Sequence, residues 1–191
     1  MAEVLLFHHA QGLTDGLLAL ADDIRAGGHV VHTPDLFDGA TYATLDEGMN
    51  HVRRLGFGTV VDLGRQVAET LPRHVVYAGA SLGVMPAQAL AQNRPGARGA
   101  LFLHGCAPPS EFGGSWPPGL PVQLHTTQDD EWGDLDVARA LAAEVDSAEL
   151  FVYPGDAHLF TDRSLPDHDA EAAALVLRRV MDFLASLDLR E

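Results

Sequence analysis

The sequence contains no lysine: all twelve basic residues in its 191 are arginine. Schiff-base chemistry on a lysine amine is therefore excluded. Basic charge of any kind is scarce. A formal net charge of −15 repels phosphate backbones and anionic lipid, so neither a nucleic acid nor a membrane is an expected partner. Cys106 is the only cysteine, which rules out an intrachain disulfide and argues against a cysteine-based zinc site. No stretch approaches the roughly 20 apolar residues of a membrane span. The opening M-A-E-V-L-L-F-H-H has no basic leader, and its apolar run is too short for a signal peptide. A cytoplasmic location is the expectation.

What is present suits one soluble domain over residues 1–191, with 47% hydrophobic and 20% charged residues. Six short runs rich in Val, Leu and Phe read as strands: Val4–His8, Val30–Thr33, Val75–Gly79, Gly99–His104, Val122–His125 and Glu149–Tyr153. They are almost continuously apolar, as strands covered on both faces are. Helical periodicity fills Leu13–Ala26, Leu45–Arg54, Phe57–Thr70, Val84–Gln92, Asp134–Val145 and Asp169–Leu187. Alternating strands and helices imply a mainly parallel sheet with helices on both faces, a three-layer α/β fold. Between residues 105 and 120 the run G-C-A-P-P-S-E-F-G-G-S-W-P-P-G-L is too rich in proline and glycine for regular structure. It follows a strand at the sheet's carboxyl edge, where open α/β sheets bind ligands. Trp116 and Phe112 make it a candidate pocket wall.

One motif carries chemistry. In V-V-Y-A-G-A-S-L-G-V, Ser81 sits between two glycines where a strand turns into a helix, the setting of a nucleophile elbow. The N–H of Leu82 would then face the same space and serve as an oxyanion donor. A serine needs a base, and the base needs a carboxylate to fix its tautomer, in the chain order Ser, acid, His. His158, in Y-P-G-D-A-H-L-F, follows the last strand by a short turn and is the expected base. His125 ends a strand, and His168 lies at a helix start. The loop T-T-Q-D-D-E-W-G-D offers the acid. Asp134 reads as the N-cap of the next helix, and spacing leaves Asp129 and Asp130 open. The second oxyanion donor belongs to the loop after the first strand, F-H-H-A-Q-G-L-T, from the N–H of His9 or Ala10. The adjacent His8 and His9 point in different directions and lack metal-ligand spacing, so no metal is expected. A single glycine in that loop argues against a phosphate-binding turn.

Taken together, F-H-H-A-Q-G-L, P-D-L-F-D-G, G-A-S-L-G, H-T-T-Q-D-D and Y-P-G-D-A-H-L-F resemble the dienelactone hydrolase family of α/β-hydrolases, over nearly the whole chain. The resemblance implies a compact six-stranded sheet in the order 2-1-3-4-5-6. It implies Asp130 as the acid and the Ala10 N–H as the second oxyanion donor. The family's namesakes use a cysteine where this chain has Ser81, and a glutamate where it has His9. The double exchange implies a conventional serine triad without thiol activation. Family enzymes hold a substrate carboxylate with arginines, a role the resemblance offers to Arg163 and to Arg53 or Arg54. Exposed surface cations are the alternative reading.

The expected function is hydrolysis of an ester, lactone or related acyl bond through Ser81, His158 and Asp130, with an acyl-enzyme and no cofactor. His8, His9, Gln11, Trp116 and Arg163 are the expected substrate contacts. A small molecule is the expected partner, and the chain a monomer or homodimer. A catalytically silent, ligand-binding relative is the competing reading.

Overall fold

The computed structural model describes residues 1–188; the last three residues of the domain read as 1–191 lie outside the described residues. Six strands form one sheet: β1 (Glu3–Phe7), β2 (Val30–His32), β3 (Val76–Ala80), β4 (Gly99–Leu103), β5 (Val122–Thr127) and β6 (Ala148–Tyr153). Their order is β2-β1-β3-β4-β5-β6, and every neighbouring pair is parallel. Parallel neighbours need crossovers, and five helices lie along these: α1 (Asp15–Ala26), α2 (Leu45–Leu55), α3 (Phe57–Glu69), α4 (Val84–Asn93) and α5 (Leu135–Glu144); α6 (Ala170–Asp188) follows the last strand. This is the α/β-hydrolase sheet with the strand order expected.

Successive side chains of a strand point to opposite faces, and that divides the core in two. Val4, Leu6, Val76 and Leu101 pack with Leu17 and Ile24 of α1 and with Val180 and Phe183 of α6. Leu5, Phe7, Tyr77, Phe102 and Leu124 face the other way, among Val60 of α3, Leu90 of α4 and Leu141 of α5. Both faces of the inner strands β1, β3, β4 and β5 are covered, which is why these read as unbroken apolar runs.

Several helix starts fall later than periodicity suggests, because polar caps occupy the first positions. Thr14 accepts from the Leu17 N–H ahead of α1, and Asp134 accepts from the Val137 N–H ahead of α5. Asp169 takes the N–H groups of Glu171 and Ala172 ahead of α6. Each cap satisfies an amide that the first helical turn leaves unpaired. Residues 105–120 are less irregular than their prolines and glycines suggest. Pro109–Phe112 form a short 3-10 turn, begun by a proline that has no N–H to satisfy. Among the described residues, no helix is long and apolar enough to cross a membrane. Since all strands run the same way, the loops after β1, β3, β4, β5 and β6 leave from one edge.

Candidate active site

At that edge β3 ends with Ala80, and the chain turns at once through Ser81–Gly83 into α4. Ser81 adopts φ 49°, a left-handed conformation costing a non-glycine residue roughly 1–3 kcal/mol. Its flanking glycines are a packing requirement. A Cβ on Gly79 would stand 2.1 Å from the Gly83 carbonyl oxygen, and one on Gly83 would stand 2.3 Å from the Phe7 oxygen. The Leu82 N–H lies in the first turn of the helical segment, with no preceding carbonyl in the helix to meet it.

His158, on the loop after β6, bridges two other loops. Its Nε2 lies 2.7 Å from Ser81 Oγ, and its Nδ1 lies 2.7 Å from Asp130 Oδ2. A carboxylate only accepts, so the ring proton belongs on Nδ1 and the Nε2 lone pair faces the serine hydroxyl. Asp130 also accepts the Trp132 N–H at 2.9 Å, and its side chain is 1% exposed. Asp129 is exposed and directs its N–H to the Gly155 carbonyl. Of the two aspartates that spacing left open, Asp130 is therefore the one on the ring. His125 is held between Tyr153 Oη and Gln123 Oε1, and burial, with the Arg179 charge, pushes its pKa down to about 3. The His168 ring bonds the Phe160 carbonyl.

The loop after β1 is tightly framed. His8 Nε2 accepts the Leu36 N–H at 3.0 Å, which leaves the proton on Nδ1 to donate to the His9 carbonyl at 2.8 Å. Burial lowers the His8 pKa to about 4 and keeps the ring neutral at pH 7. The Gly12 N–H reaches the same carbonyl at 3.0 Å. Across a trans peptide C=O and N–H point in opposite directions, so anchoring the His9 carbonyl fixes where the Ala10 N–H points. His9 accepts the Gln11 N–H on Nδ1 and donates from Nε2 to Asp162 Oδ2 at 2.9 Å. Asp162 also accepts the Thr14 hydroxyl and both the N–H and the hydroxyl of Ser164. Burial alone would raise this carboxyl's pKa; the hydrogen bonds from His9, Ser164 and Thr14 overcome it and hold it well below the usual range. Gln11 donates to the carbonyls of Tyr42 and Ala43. His8, His9 and Gln11 are thus bound into the loop's own frame rather than lining the space beside Ser81.

That space is a cavity of about 180 Å³, walled by Leu45, Met49, Phe57, Met85, Cys106 and Trp132 and reached also by His104. His104 follows the end of β4 at φ 67° and bonds Thr161 Oγ1 through Nε2 at 2.7 Å. Its buried Nδ1 has no partner among the described residues. Burial, followed by the neighbouring His158 charge, drives its pKa well down. A loop-borne imidazole between a hydroxyl and a carboxylate, beside an apolar cavity, has the geometry for proton transfer during attack on a carbonyl.

Residues 1–187 match the family model described as the dienelactone hydrolase family. The chain belongs to the dienelactone hydrolase family. As a member it is a hydrolase acting on ester or lactone bonds. Solved structures share the fold at low identity. A candidate dienelactone hydrolase of Klebsiella pneumoniae subsp. pneumoniae MGH 78578 is 18% identical at TM-score 0.77, covering 97% of this chain and 87% of that one. A dienelactone hydrolase-like promiscuous phosphotriesterase from metagenomic libraries is 19% identical at TM-score 0.76, covering 98% and 87%. A dienelactone hydrolase of Anabaena variabilis ATCC 29413 is 19% identical at TM-score 0.65, covering 95% and 84%. No curated protein matches the sequence.

In this dienelactone hydrolase-family chain two expected substrate contacts lie elsewhere. Trp116 packs edge-on against Phe102, with ring centroids 5.9 Å apart, and donates its indole N–H to the Leu120 carbonyl. It is a core residue, because the turn at Pro109–Phe112 carries the following chain back over β4. Arg163 is exposed and paired with Asp23 of α1, away from the cavity. Sequence reasoning missed Phe57 and Trp132, large apolar residues that stay 43% and 48% exposed. Their only signal in sequence is an aromatic at a helix start and another inside an acidic loop. A larger groove of about 770 Å³ lies at the opposite, amino edge of the sheet, along 94–98 and 117–121. There Arg94 is taken up by the Leu71 and Pro72 carbonyls and Tyr77, and nothing in that groove approaches Ser81. Among the described residues no three or more His, Cys, Asp or Glu side chains gather as a metal site would.

Proposed function

We propose that this protein is a serine hydrolase that works through an acyl-enzyme on Ser81. The observation that carries the reading is the unbroken run of hydrogen bonds from Asp130 through His158 to the hydroxyl of a left-handed Ser81. In the first half-reaction Ser81 Oγ attacks the substrate carbonyl as its proton passes to His158 Nε2. The oxyanion rests on the N–H groups of Leu82 and Ala10. The C–O bond to the leaving group breaks, and His158 returns the proton to the departing alcohol. In the second half-reaction water attacks the acyl carbonyl, His158 again takes the proton, and release of the acid restores the serine hydroxyl. Asp130 holds His158 in the Nδ1–H tautomer and stabilises the imidazolium while it exists. Every step uses the chain's own groups on a small-molecule substrate within one domain; no cofactor, nucleic acid or membrane enters it. The His8-anchored peptide gives Ala10 its part, since its N–H is aimed before substrate arrives.

The test is labelling by a fluorophosphonate, with the adduct located by peptide mass spectrometry. Native protein takes up the label on Ser81, and the His158→Ala variant does so far more slowly. A folded protein that leaves Ser81 unlabelled, under conditions that label a control hydrolase, would instead be a silent ligand-binding member.

A further inference from the structure

We infer that the substrate group seated beside Ser81 is compact, apolar and uncharged, so that the preferred substrate is a neutral ester or lactone with a short side chain rather than one bearing a carboxylate. The inference rests on the proposed role of Ser81.

Size is the first observation. The cavity of about 180 Å³ falls below the roughly 300–1,000 Å³ of sites for drug-sized ligands and is close to the ~150 Å³ void that accommodates a benzene-sized molecule. A long acyl chain would run out past its walls.

The walls are the second. Leu45 and Met49 come from α2, Phe57 from the start of α3 and Met85 from α4, with Trp132 added by the loop that carries Asp130. None carries a charge. Cys106 contributes a thiol that burial, and then the Asp134 charge, push up to about 12, so it too is neutral. His104 is deep enough to stay unprotonated and supplies no cation.

The surroundings are the third. Asp129, Glu131 and Asp134 are exposed on the same loop as Trp132, on a chain of net charge −15. None of the arginines offered for a carboxylate lines the cavity: Arg163 pairs with Asp23, Arg53 bonds Asn50, and Arg54 is exposed on α2. A carboxylate entering this cavity would give up its hydration with no cation to replace it, among like charges at the rim. A neutral group of the same size gains apolar burial instead.

The experiment compares kcat/KM for p-nitrophenyl butyrate and for mono-p-nitrophenyl succinate, esters of similar size that differ chiefly by the terminal carboxylate. The butyrate ester is expected to be favoured by about 100-fold or more, the cost of an unpaired buried charge. p-Nitrophenyl dodecanoate is expected to fall below the butyrate ester by roughly 10-fold. Phe57 is half exposed, so Phe57→Arg places a cation at the rim without opening the core. It should narrow the butyrate-to-succinate ratio by about 10-fold, a ratio taken within one variant and so independent of its active fraction. Equal or preferential turnover of the succinate ester by the native protein overturns the inference. So does a protein that the fluorophosphonate labels on Ser81 but that hydrolyses neither neutral ester. Failure of the label itself overturns the serine-hydrolase reading on which the inference stands, and so the two failures are told apart.

Discussion

Two histidines at the carboxyl edge of the sheet are each bonded to an aspartate, His158 to Asp130 at 2.7 Å and His9 to Asp162 at 2.9 Å. Both rings are buried, and both pairs join loops far apart in the chain. What differs is the third group. The free nitrogen of His158 meets the Ser81 hydroxyl beside a cavity. That of His9 accepts the Gln11 backbone N–H, an amide that shares its proton without giving it up. The tautomers are opposite as well: His158 is protonated on Nδ1 and His9 on Nε2. A buried His–Asp pair is therefore not a signature of catalysis in this fold. One pair is proposed to move protons, while the other straps the loop after β1 to the loop that carries His158.

The comparison breaks most severely at its proposed catalytic member. Ser81→Ala or His158→Ala should each lower kcat/KM for a neutral ester by about 10⁴-fold or more. Asp130→Asn, which keeps the shape but disturbs the tautomer, should cost about 10³-fold. Asp129→Asn should stay within about 2-fold, as exposed substitutions away from a site do; steady-state kinetics on the two aspartate variants checks the assignment. The reverse pattern would move the acid to Asp129.

Asp162→Ala should act on the other pair and chiefly on stability. Removing one partner leaves His9 and the Thr14 hydroxyl buried without their acceptor, and urea unfolding should show a loss of about 3–5 kcal/mol. Turnover per folded molecule should fall less than about 10-fold. A loss matching that of Asp130→Asn would mean that the strap takes part in the chemistry.

A slightly smaller effect is expected from acid. His8 has a folded pKa of about 4 against 6.5 in the unfolded chain. As the pH falls below 6.5 the unfolded state takes up the proton first, so stability is full above that value and is lost on the way to pH 4. His8 alone accounts for about 3 kcal/mol of that loss. His125, lowered to about 3, adds to it with the same sign and over a window reaching further down. Urea midpoints between pH 7 and pH 4 measure the slope, and His8→Asn should flatten it.

The parts of this molecule legible in sequence are those whose cause is local. The elbow is legible because strand, glycine, serine, glycine and helix adjoin, and the steric demand behind them spans only a few residues. The turn after β6 announces His158 through Y-P-G-D. The parallel sheet is legible in its apolar runs, since the four inner strands β1, β3, β4 and β5 lie under the same two-sided cover. The pairing of His9 with Asp162 is not legible, because the two lie 153 positions apart and each alone reads as an ordinary polar loop residue. Nor is the cavity wall, which three helices and two loops share. Trp116 is misread for the opposite reason: a tryptophan in a proline-rich loop at the carboxyl edge reads as a pocket wall, whereas the chain folds back and packs it on Phe102.

The central claim, that Ser81 forms a covalent acyl intermediate with His158 as its base, is tested most directly by acid-quenching the reaction with p-nitrophenyl butyrate during the first turnover and mapping the acyl group. The account predicts a butyryl ester on the peptide containing Ser81, absent in Ser81→Ala and strongly diminished in His158→Ala. Undiminished hydrolysis by Ser81→Ala, or a butyryl group carried on another residue, would contradict it.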